Sequence, residues 1–249
     1  MESKSSLAGR VALITGASGG IGGALAVALA GEGVDVALAH GRHREDAAAV
    51  AERVVALGRR AILLEGDLAD PAVPERLVAE TVAGLGACDV LIPNAGMGER
   101  IAWDALDLET WDRTVDVNLR APWLLTRAAL PAMLERGYGR IVYVSSAAAF
   151  AGGVIGPHYA ASKAGLHGLM RHMAPRVAGR GVTVNAIAPG LIAGTRILPV
   201  DADDPDTAAQ VPVGRLGTVE EVADLVLAMV RNGYLTNKAF GLDGGLVPA

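Results

Sequence analysis

The sequence predicts an α/β fold: one doubly wound domain with a seven-stranded parallel sheet and helices on both faces. Three observations predict it. Short runs rich in Val, Ile, Leu and Ala alternate with Ala- and Leu-rich stretches of helical length along the chain. Strands alternating with helices of about 10–15 residues mean βαβ units, which close with right-handed crossovers. The units follow one another at even spacing with no linker, so 249 residues read as a single domain, and the chain is 51% apolar, ample for a buried core.

The elements follow in order. RVALIT (10–15) reads as the first strand and 20–31 as the first helix. VDVALA (34–39) is the second strand, followed by a helix to Leu57. AILLEG (61–66) is the third strand. Asp70 and Pro71 precede another helix, and CDVLIP (88–93) is the fourth strand. A long helical region covers 108–135, with Pro122 and Pro131 marking breaks or helix starts. GRIVYVSS (139–146) is a strand, 159–180 a helix, and GVTVNAIAP (181–189) a strand. Residues 218–231 read as a helix with Thr218 as N-cap and Glu221 at the capping-box position. KAFGLDGG (238–245) closes as the seventh strand. One insert, 193–213, is rich in Pro and Asp and breaks the rhythm; such inserts in compact α/β domains are lids or loops.

Composition narrows the function. With only two Phe, the core must be Ala, Val and Leu. The net charge of −5 argues against a nucleic-acid partner. A single cysteine, Cys88, excludes an internal disulfide framework and a Cys-based zinc site. The beginning, MESKSSLAGR, lacks the apolar core of a signal peptide, and no apolar run has the length of a membrane span. A soluble, cytoplasmic protein is the expectation. His40, His43, His158, His167 and His172 have no acidic or Cys partners at ligand spacing, so no metal site is expected, and His167 and His172 are expected on helix surfaces or at an interface.

TGASGGIG (15–22) lies directly after the first strand and opens the first helix, the context that makes a glycine cluster informative. Gly16 permits the tight turn, Gly20 lets the backbone approach a pyrophosphate, and Gly22 allows close helix–sheet packing. The free N–H groups and positive end of the helix then face the phosphates. The plainer alternative is a glycine-rich turn with no ligand.

With TGxxxGxG spacing in place of GxGxxG, the chain resembles the short-chain dehydrogenase/reductases, in their single-domain Rossmann-type form. The likeness runs along essentially the whole chain: TGASGGIG, GDL (66–68), NAG (94–96), Asn118 in DVNLRAP, Ser145–Ser146, YAASK (159–163), NAIAPG (185–190), GRLGTVEEVA and LDGG. The resemblance implies that Gly16, Ser18, Gly20, Ile21 and Gly22 cradle a dinucleotide. It implies that Asp67 and the adjoining Leu68 meet the adenine, that Asn94 and Gly96 line a ribose, and that Pro189, Gly190 and Ile192 pass the nicotinamide. For Asp67 the alternative is a helix-capping carboxylate. NAD-preferring members carry an acid at the end of the second strand; here His40 stands there, and Arg42, His43 and Arg44 follow as a plausible cradle for a 2′-phosphate. Against this, Gly19 stands where many NADP-preferring relatives carry a basic residue. NADP(H) is expected over NAD(H).

Only three lysines occur among 22 basic residues, and Lys163 stands four residues after Tyr159, on the same helix face. A free tyrosine, with a pKa of about 10, is too weak an acid for efficient proton exchange near neutrality. A cation about 4 Å away would lower it by roughly 3 units as an upper bound. Each residue alone could be a surface or strand-end residue. The resemblance implies that Tyr159 is the acid/base and Lys163 its partner, both also touching the cofactor. It implies that Ser146 binds the substrate oxygen and that Asn118 completes a proton relay through a water. Ser145 should point to the other side of its strand.

The substrate is less legible. NAGMGER with Trp103, and SAAAFAGGVIGPH, are expected as small or apolar walls, suited to a ketone or acyl substrate of little charge. Many relatives place a threonine where this chain has Gly194, with Thr195 one later. The closest subfamily likeness is to the 3-oxoacyl-(acyl carrier protein) reductases. Arg136, Arg140, Arg176 and Arg180 could receive an acidic carrier, but favourable placement near helix C-termini is preferred. The alternatives are an NAD(H)-dependent secondary-alcohol or sugar dehydrogenase, and a non-catalytic dinucleotide-binding sensor or scaffold. By resemblance a homotetramer is expected, pairing helices 119–136 and 159–180 across one two-fold axis and the final strand across another.

Overall fold

A computed structural model describes residues 6–197 and 205–247. Among them, seven strands form one sheet in the order β3-β2-β1-β4-β5-β6-β7, every neighbouring pair parallel. They are β1 (Val11–Thr15), β2 (Asp35–His40), β3 (Ala61–Glu65), β4 (Val90–Ile92), β5 (Gly139–Val144), β6 (Val182–Pro189) and β7 (Ala239–Leu242). The chain runs outward from β1 through β2 to β3, then crosses back to start the other half at β4. The order therefore reverses between β1 and β4, where open α/β sheets bind ligands at their strand C-terminal ends.

Helices cover both faces. On one, α1 (Gly20–Gly31), α2 (Arg44–Ala56) and α9 (Val219–Arg231) pack Leu25, Leu29, Val50 and Val226 onto Ile14, Val36 and Ile92. On the other, α3 (Val73–Leu85), α5 (Ala121–Arg136) and α7 (Pro157–Val177) pack Leu77, Leu125, Met133 and Met170 onto Leu13, Leu91 and Ile141. Each such buried side chain contributes about 1.5–3 kcal/mol, so a core with few aromatic rings suffices. Short helices α4 (Leu108–Val115), α6 (Ala148–Ala151) and α8 (Pro205–Ala208) complete the described chain.

Local chemistry sets the ends. Asp107 accepts a hydrogen bond from the Thr110 N–H at 2.7 Å and starts α4. The capping box expected on α9 is formed from both sides: Thr218 Oγ1 accepts from Glu221 N and a Glu221 carboxylate oxygen accepts from Thr218 N. The strand expected at 238–245 stops at Leu242 because the Asp243 carboxylate turns the chain, accepting from Gly245 N and Val247 N. The helical region at 108–135 is divided by a π-helical turn, Asp116–Arg120. Pro122 does sit in the first turn of α5, but Pro131 lies inside that helix and does not break it. Packing of α5 on α3 and β5 outweighs one missing N–H. The expected helix 159–180 is α7, begun by Pro157, plus a 3₁₀ turn, Ala178–Arg180. Of the insert at 193–213, residues 198–204 lie outside the described residues. Among the described residues no helix is long and apolar enough to cross a membrane.

Candidate active site

The site is built where β1, β4, β5 and β6 end. Thr15 closes β1 and ties it to the end of β4: its Oγ1 accepts from Asn94 N at 3.1 Å and Ala95 N at 3.0 Å. Asn94 returns the contact, donating through Nδ2 to the carbonyls of Thr15 (2.9 Å) and Gly16 (3.2 Å). The turn must then be glycine. Gly16 has φ +66°, and a Cβ there would lie 2.8 Å from Ala95 Cα. A Cβ on Gly22 would overlap the Gly16 carbonyl oxygen and stand 2.7 Å from Asn94 Nδ2. The first turn of α1, with glycine at Gly20, Gly22 and Gly23, opens into a cleft of about 700 Å³.

This cleft collects most of the residues singled out by the sequence. Gly16, Ser18, Gly20 and Ile21 form one wall. Asn94 and Gly96 line its floor with Ser146, Tyr159 and Lys163, and Pro189, Gly190 and Ile192 form the β6 side. Gly22 lies beneath the turn. Arg42, Asp67 and Leu68 are not brought to the lining. Asp67 is occupied by Ala69 N and by Arg113 (3.0 Å), which with the hydrogen bond to Ala69 hold its carboxyl below the usual range. His43 and Arg196 line the cleft instead. Sequence reasoning missed Arg196 as a site residue; it sits in the aperiodic insert, where spacing carries no signal.

The chemistry-bearing side chains converge on the opposite wall. Ser145 points away as expected, donating to the Lys163 carbonyl at 3.0 Å. Ser146 lines the cleft with Tyr159, its Oγ accepting from Ala148 N at 3.2 Å and lying near enough to the phenol to favour its ionised form slightly. Lys163 donates from Nζ to the Val144 carbonyl at 2.9 Å and lies 5.7 Å from the Tyr159 ring centroid. Gly96 makes room for it: a Cβ there would stand 3.1 Å from Nζ.

Burial dominates the titration of this pair. It raises Tyr159 above its ordinary value, against a smaller lowering by Ser146, and it lowers Lys163 to about 8. The expectation that Lys163 pulls Tyr159 down is therefore corrected for the protein without ligand. The Coulomb argument omitted the cost of removing a phenolate from water.

Asn118 lies in the π-helical turn and is fully buried. Its Oδ1 accepts from Met97 N at 2.9 Å, and its Nδ2 donates to Met97 O (2.8 Å) and Ser162 Oγ (3.1 Å). Ser162 in turn donates to the Tyr159 carbonyl. The Asn118 side chain is thus committed to joining the 94–97 segment to α7, and π turns inside helices are frequent at functional sites.

Three further expectations are corrected. His167 is buried against Phe150, with ring centroids 4.8 Å apart, while His172 is exposed as expected. Trp103 is 80% exposed and lies outside the main cleft, whose apolar wall comes from Ala147, Ala148, Val154 and Ile155. Arg140 is not at a helix end but buried in β5, donating to the carbonyls of Val230, Gly139 and Gly181. Arg136 binds the Cys88 carbonyl and Asp89. Arg136, Arg176 and Arg180 do lie in the last turns of α5, α7 and the 3₁₀ turn, the helix C-terminal placement preferred for them. Thr195, one place later than in many relatives, lines the cleft beside Gly194 and donates to the Ile192 carbonyl at 2.9 Å.

Among the described residues no cluster of His, Cys, Asp or Glu could hold a metal. The glycine wall, the free helix N-terminus and the cleft volume fit a dinucleotide: backbone N–H groups for phosphates, and a floor of hydroxyls and an ammonium for ribose and carbonyl oxygens.

Comparison with known proteins agrees with this geometry. The short chain dehydrogenase family model matches residues 10–205. L-rhamnose 1-dehydrogenase (NAD(P)(+)) of a Sphingomonas species is 36% identical over 96% of this chain and 97% of its own. The 3-oxoacyl-[acyl-carrier-protein] reductase of a Synechocystis species is 35% identical over 97% of this chain and 98% of its own. A blue fluorescent protein from a metagenomic library, solved with NADPH, superposes with a TM-score of 0.91 at 33% identity, covering 98% of this chain and 100% of that one.

Proposed function

The chain belongs to the short-chain dehydrogenase family, and from that premise we propose that it interconverts a carbonyl and a secondary alcohol with NADP(H) preferred to NAD(H). When bound, the nicotinamide supplies or accepts the hydride. The observation that carries the reading is the convergence of Ser146, Tyr159 and Lys163 on the cleft wall facing the glycine turn.

The chain's own residues have separable tasks. Ser146 and Tyr159 present two hydroxyls to one substrate oxygen and fix its orientation. Tyr159, kept neutral by burial, holds the proton that a reduced carbonyl oxygen needs. Lys163 keeps a positive charge beside it and toward the ribose hydroxyls, anchored by the Val144 carbonyl. Asn118 holds Met97 and Ser162, and through Ser162 the Tyr159 turn, in register. Both Nδ2 donors are committed, so a water held toward Lys163 would donate to the Asn118 backbone carbonyl or to the acceptor site left on Oδ1. Gly16, Ser18, Gly20, Ile21 and Gly22 would take the pyrophosphate, and Gly190 and Ile192 the nicotinamide side.

The NADP(H) preference is supported by the end of β2. His40 stands there, buried, with Nδ1 donating to the Gly41 carbonyl at 2.8 Å, so no carboxylate meets a ribose 2′-hydroxyl. The apolar wall of Ala147, Ala148, Val154 and Ile155 supports a substrate of little charge, such as a 3-oxoacyl thioester or a simple ketone. We further place the protein in the cytoplasm as a homotetramer of single-domain chains.

The test is Tyr159→Phe. NADPH oxidation at 340 nm with an acetoacetyl thioester should fall by about 10²–10⁴-fold, while NADPH affinity measured by fluorescence stays within about threefold. Retained turnover removes Tyr159 from the chemistry. Absence of turnover in the unaltered protein with every carbonyl tried, despite tight cofactor binding, favours a non-catalytic dinucleotide-binding role.

A further inference from the structure

We propose that Arg196 reads the 2′-phosphate of NADP(H), reaching it from the segment after β6. The proposal rests on the cofactor reading above and names the side chain that sets its preference. Arg42, marked for this task by sequence, lies outside the cleft, whereas Arg196 lines it.

The guanidinium is placed by several contacts. Nη1 donates to Ser18 Oγ at 3.1 Å and Nη2 to the Ser18 carbonyl at 3.2 Å. Nη2 lies 3.8 Å from where a Gly19 Cβ would be, so it covers the turn at its only residue between Ser18 and Gly20. Nη2 also pairs with Asp46 in the first turn of α2 at 2.5 Å, and His43 Nδ1 stands 3.9 Å from the same carboxylate oxygen. Arg196 thus bridges the glycine turn and the start of α2 over the open cleft.

The segment carrying it is held in place. Ile192 bridges to Gly217, Thr195 closes a turn on the Ile192 carbonyl, and a Cβ on Gly20 would meet the Gly194 carbonyl at 3.4 Å. The backbone before Arg196 therefore rests against the glycine turn.

The position selects the phosphate. A pyrophosphate meets the N–H groups at the start of α1, near Gly20 and Gly22. Arg196 and its partners Asp46 and His43 lie on the β2 side, where doubly wound sheets read the adenosine ribose. A guanidinium there offers a planar fork to a phosphate dianion. Its present partner, Asp46, is a half-exposed carboxylate, side chain 55% accessible, in an ion pair that is 54% accessible on the arginine side. Such a pair is weak in water, so exchanging the carboxylate for a phosphate costs little. The proposal gives Arg196 two states: on Asp46 without cofactor, on the 2′-phosphate with it.

Binding alone tests this. Dissociation constants of NADPH, NADH, 2′,5′-ADP and 5′-ADP are measured by titration calorimetry for the unaltered protein, Arg196→Ala and Asp46→Asn. Arg196→Ala should weaken NADPH and 2′,5′-ADP by about 10- to 100-fold and change NADH and 5′-ADP by less than about threefold. Asp46→Asn should leave NADPH as tight or tighter, because it removes the competing carboxylate. Equal weakening of both dinucleotides by Arg196→Ala would move its role to the pyrophosphate and overturn the proposal. So would Asp46→Asn weakening NADPH as much as Arg196→Ala, which would make the pair a structural clip. Unaltered protein that binds NADPH no tighter than NADH also overturns it. Failure of the unaltered protein to bind any dinucleotide sinks the cofactor reading itself, a distinct result.

Discussion

Replacing Lys163 by Met should abolish turnover yet leave the ligand-free protein as stable as before, or more so. The ammonium is 3% exposed, and burial lowers its pKa from 10.5 to about 8. That shift of about 2.5 units corresponds to about 3 kcal/mol against keeping the charge at pH 7. Methionine keeps the unbranched stem and fills the same space without a charge. What it loses is the hydrogen bond to the Val144 carbonyl, worth about 1.5–3 kcal/mol when the donor is charged. The two nearly offset, so at pH 7 the variant should unfold between 0 and about 2 kcal/mol higher than the unaltered protein.

The pH dependence is the sharper readout. The unfolded chain holds the Lys163 proton up to about 10.5, the folded one only to about 8, so stability rises with pH between these values. The variant lacks this gain, and its advantage should shrink by about 2 kcal/mol between pH 8 and 9.5. Cys88, held up to about 12 by burial, removes stability from both proteins in the same window and cancels in the difference. Tyr159, also raised by burial, acts only above its ordinary value and stays outside the window. Urea unfolding at one protein concentration and several pH values measures this. A difference independent of pH, or a variant destabilised by more than about 2 kcal/mol at pH 7, would refute the account of Lys163 as a desolvated cation kept for function.

Gly22→Ala should push the Gly16 carbonyl and the Asn94 amide apart, since its Cβ would overlap the first and stand 2.7 Å from the second. An overpacked site of this kind costs about 1–3 kcal/mol, and dinucleotide affinity should fall at least about tenfold; calorimetric melting and a fluorescence titration check both, and unchanged affinity would mean the turn does not cradle the cofactor. Glu221 is held down to about 2, first by its hydrogen bond from Arg215 and then by Thr218 N. Its contribution to the start of α9 is present above the ordinary carboxylate range and lost as pH falls toward 2, so acid unfolding of Glu221→Gln should be less steep than that of the unaltered protein, measured by circular dichroism.

The architecture was legible because every βαβ unit carried its own signal. Apolar runs such as VALIT and the Thr218–Glu221 cap specify elements locally. Element ends were less legible: β7 stops early because of the Asp243 turn, and α5 runs through Pro131, both decided by contacts that sequence spacing does not encode. The candidate catalytic wall was read chiefly from the family resemblance, with the four-residue step from Tyr159 to Lys163 as its local signal. The adenosine side was read less well. Arg42 lies near the right place in the chain but outside the cleft lining, its charge helping slightly to hold Asp67 down, while the arginine over the glycine turn comes from an aperiodic segment about 180 residues on. Local pattern finds residues on regular elements; a long-range side chain on a loop is found only when the chain is folded.

The correction at Tyr159 bears on how the proposed reaction is poised. Coulomb attraction to Lys163 and loss of water both act on the phenol, with opposite signs. At 5.7 Å from the ring centroid, with Nζ turned to the Val144 carbonyl, the lysine does not overcome burial, so the tyrosine rests as a neutral acid. Burial acts on the lysine too, bringing it to about 8, so just below that pH the pair consists of a phenol with its proton and an ammonium close to releasing one. A carbonyl oxygen that gains charge as it accepts a hydride meets a donor already protonated. Running the reaction backward requires a phenolate, and in this wall that needs added positive charge or a tighter bond from Ser146. On the proposed chemistry alcohol oxidation, which releases a proton, should gain as pH rises, with Tyr159→Phe losing both directions.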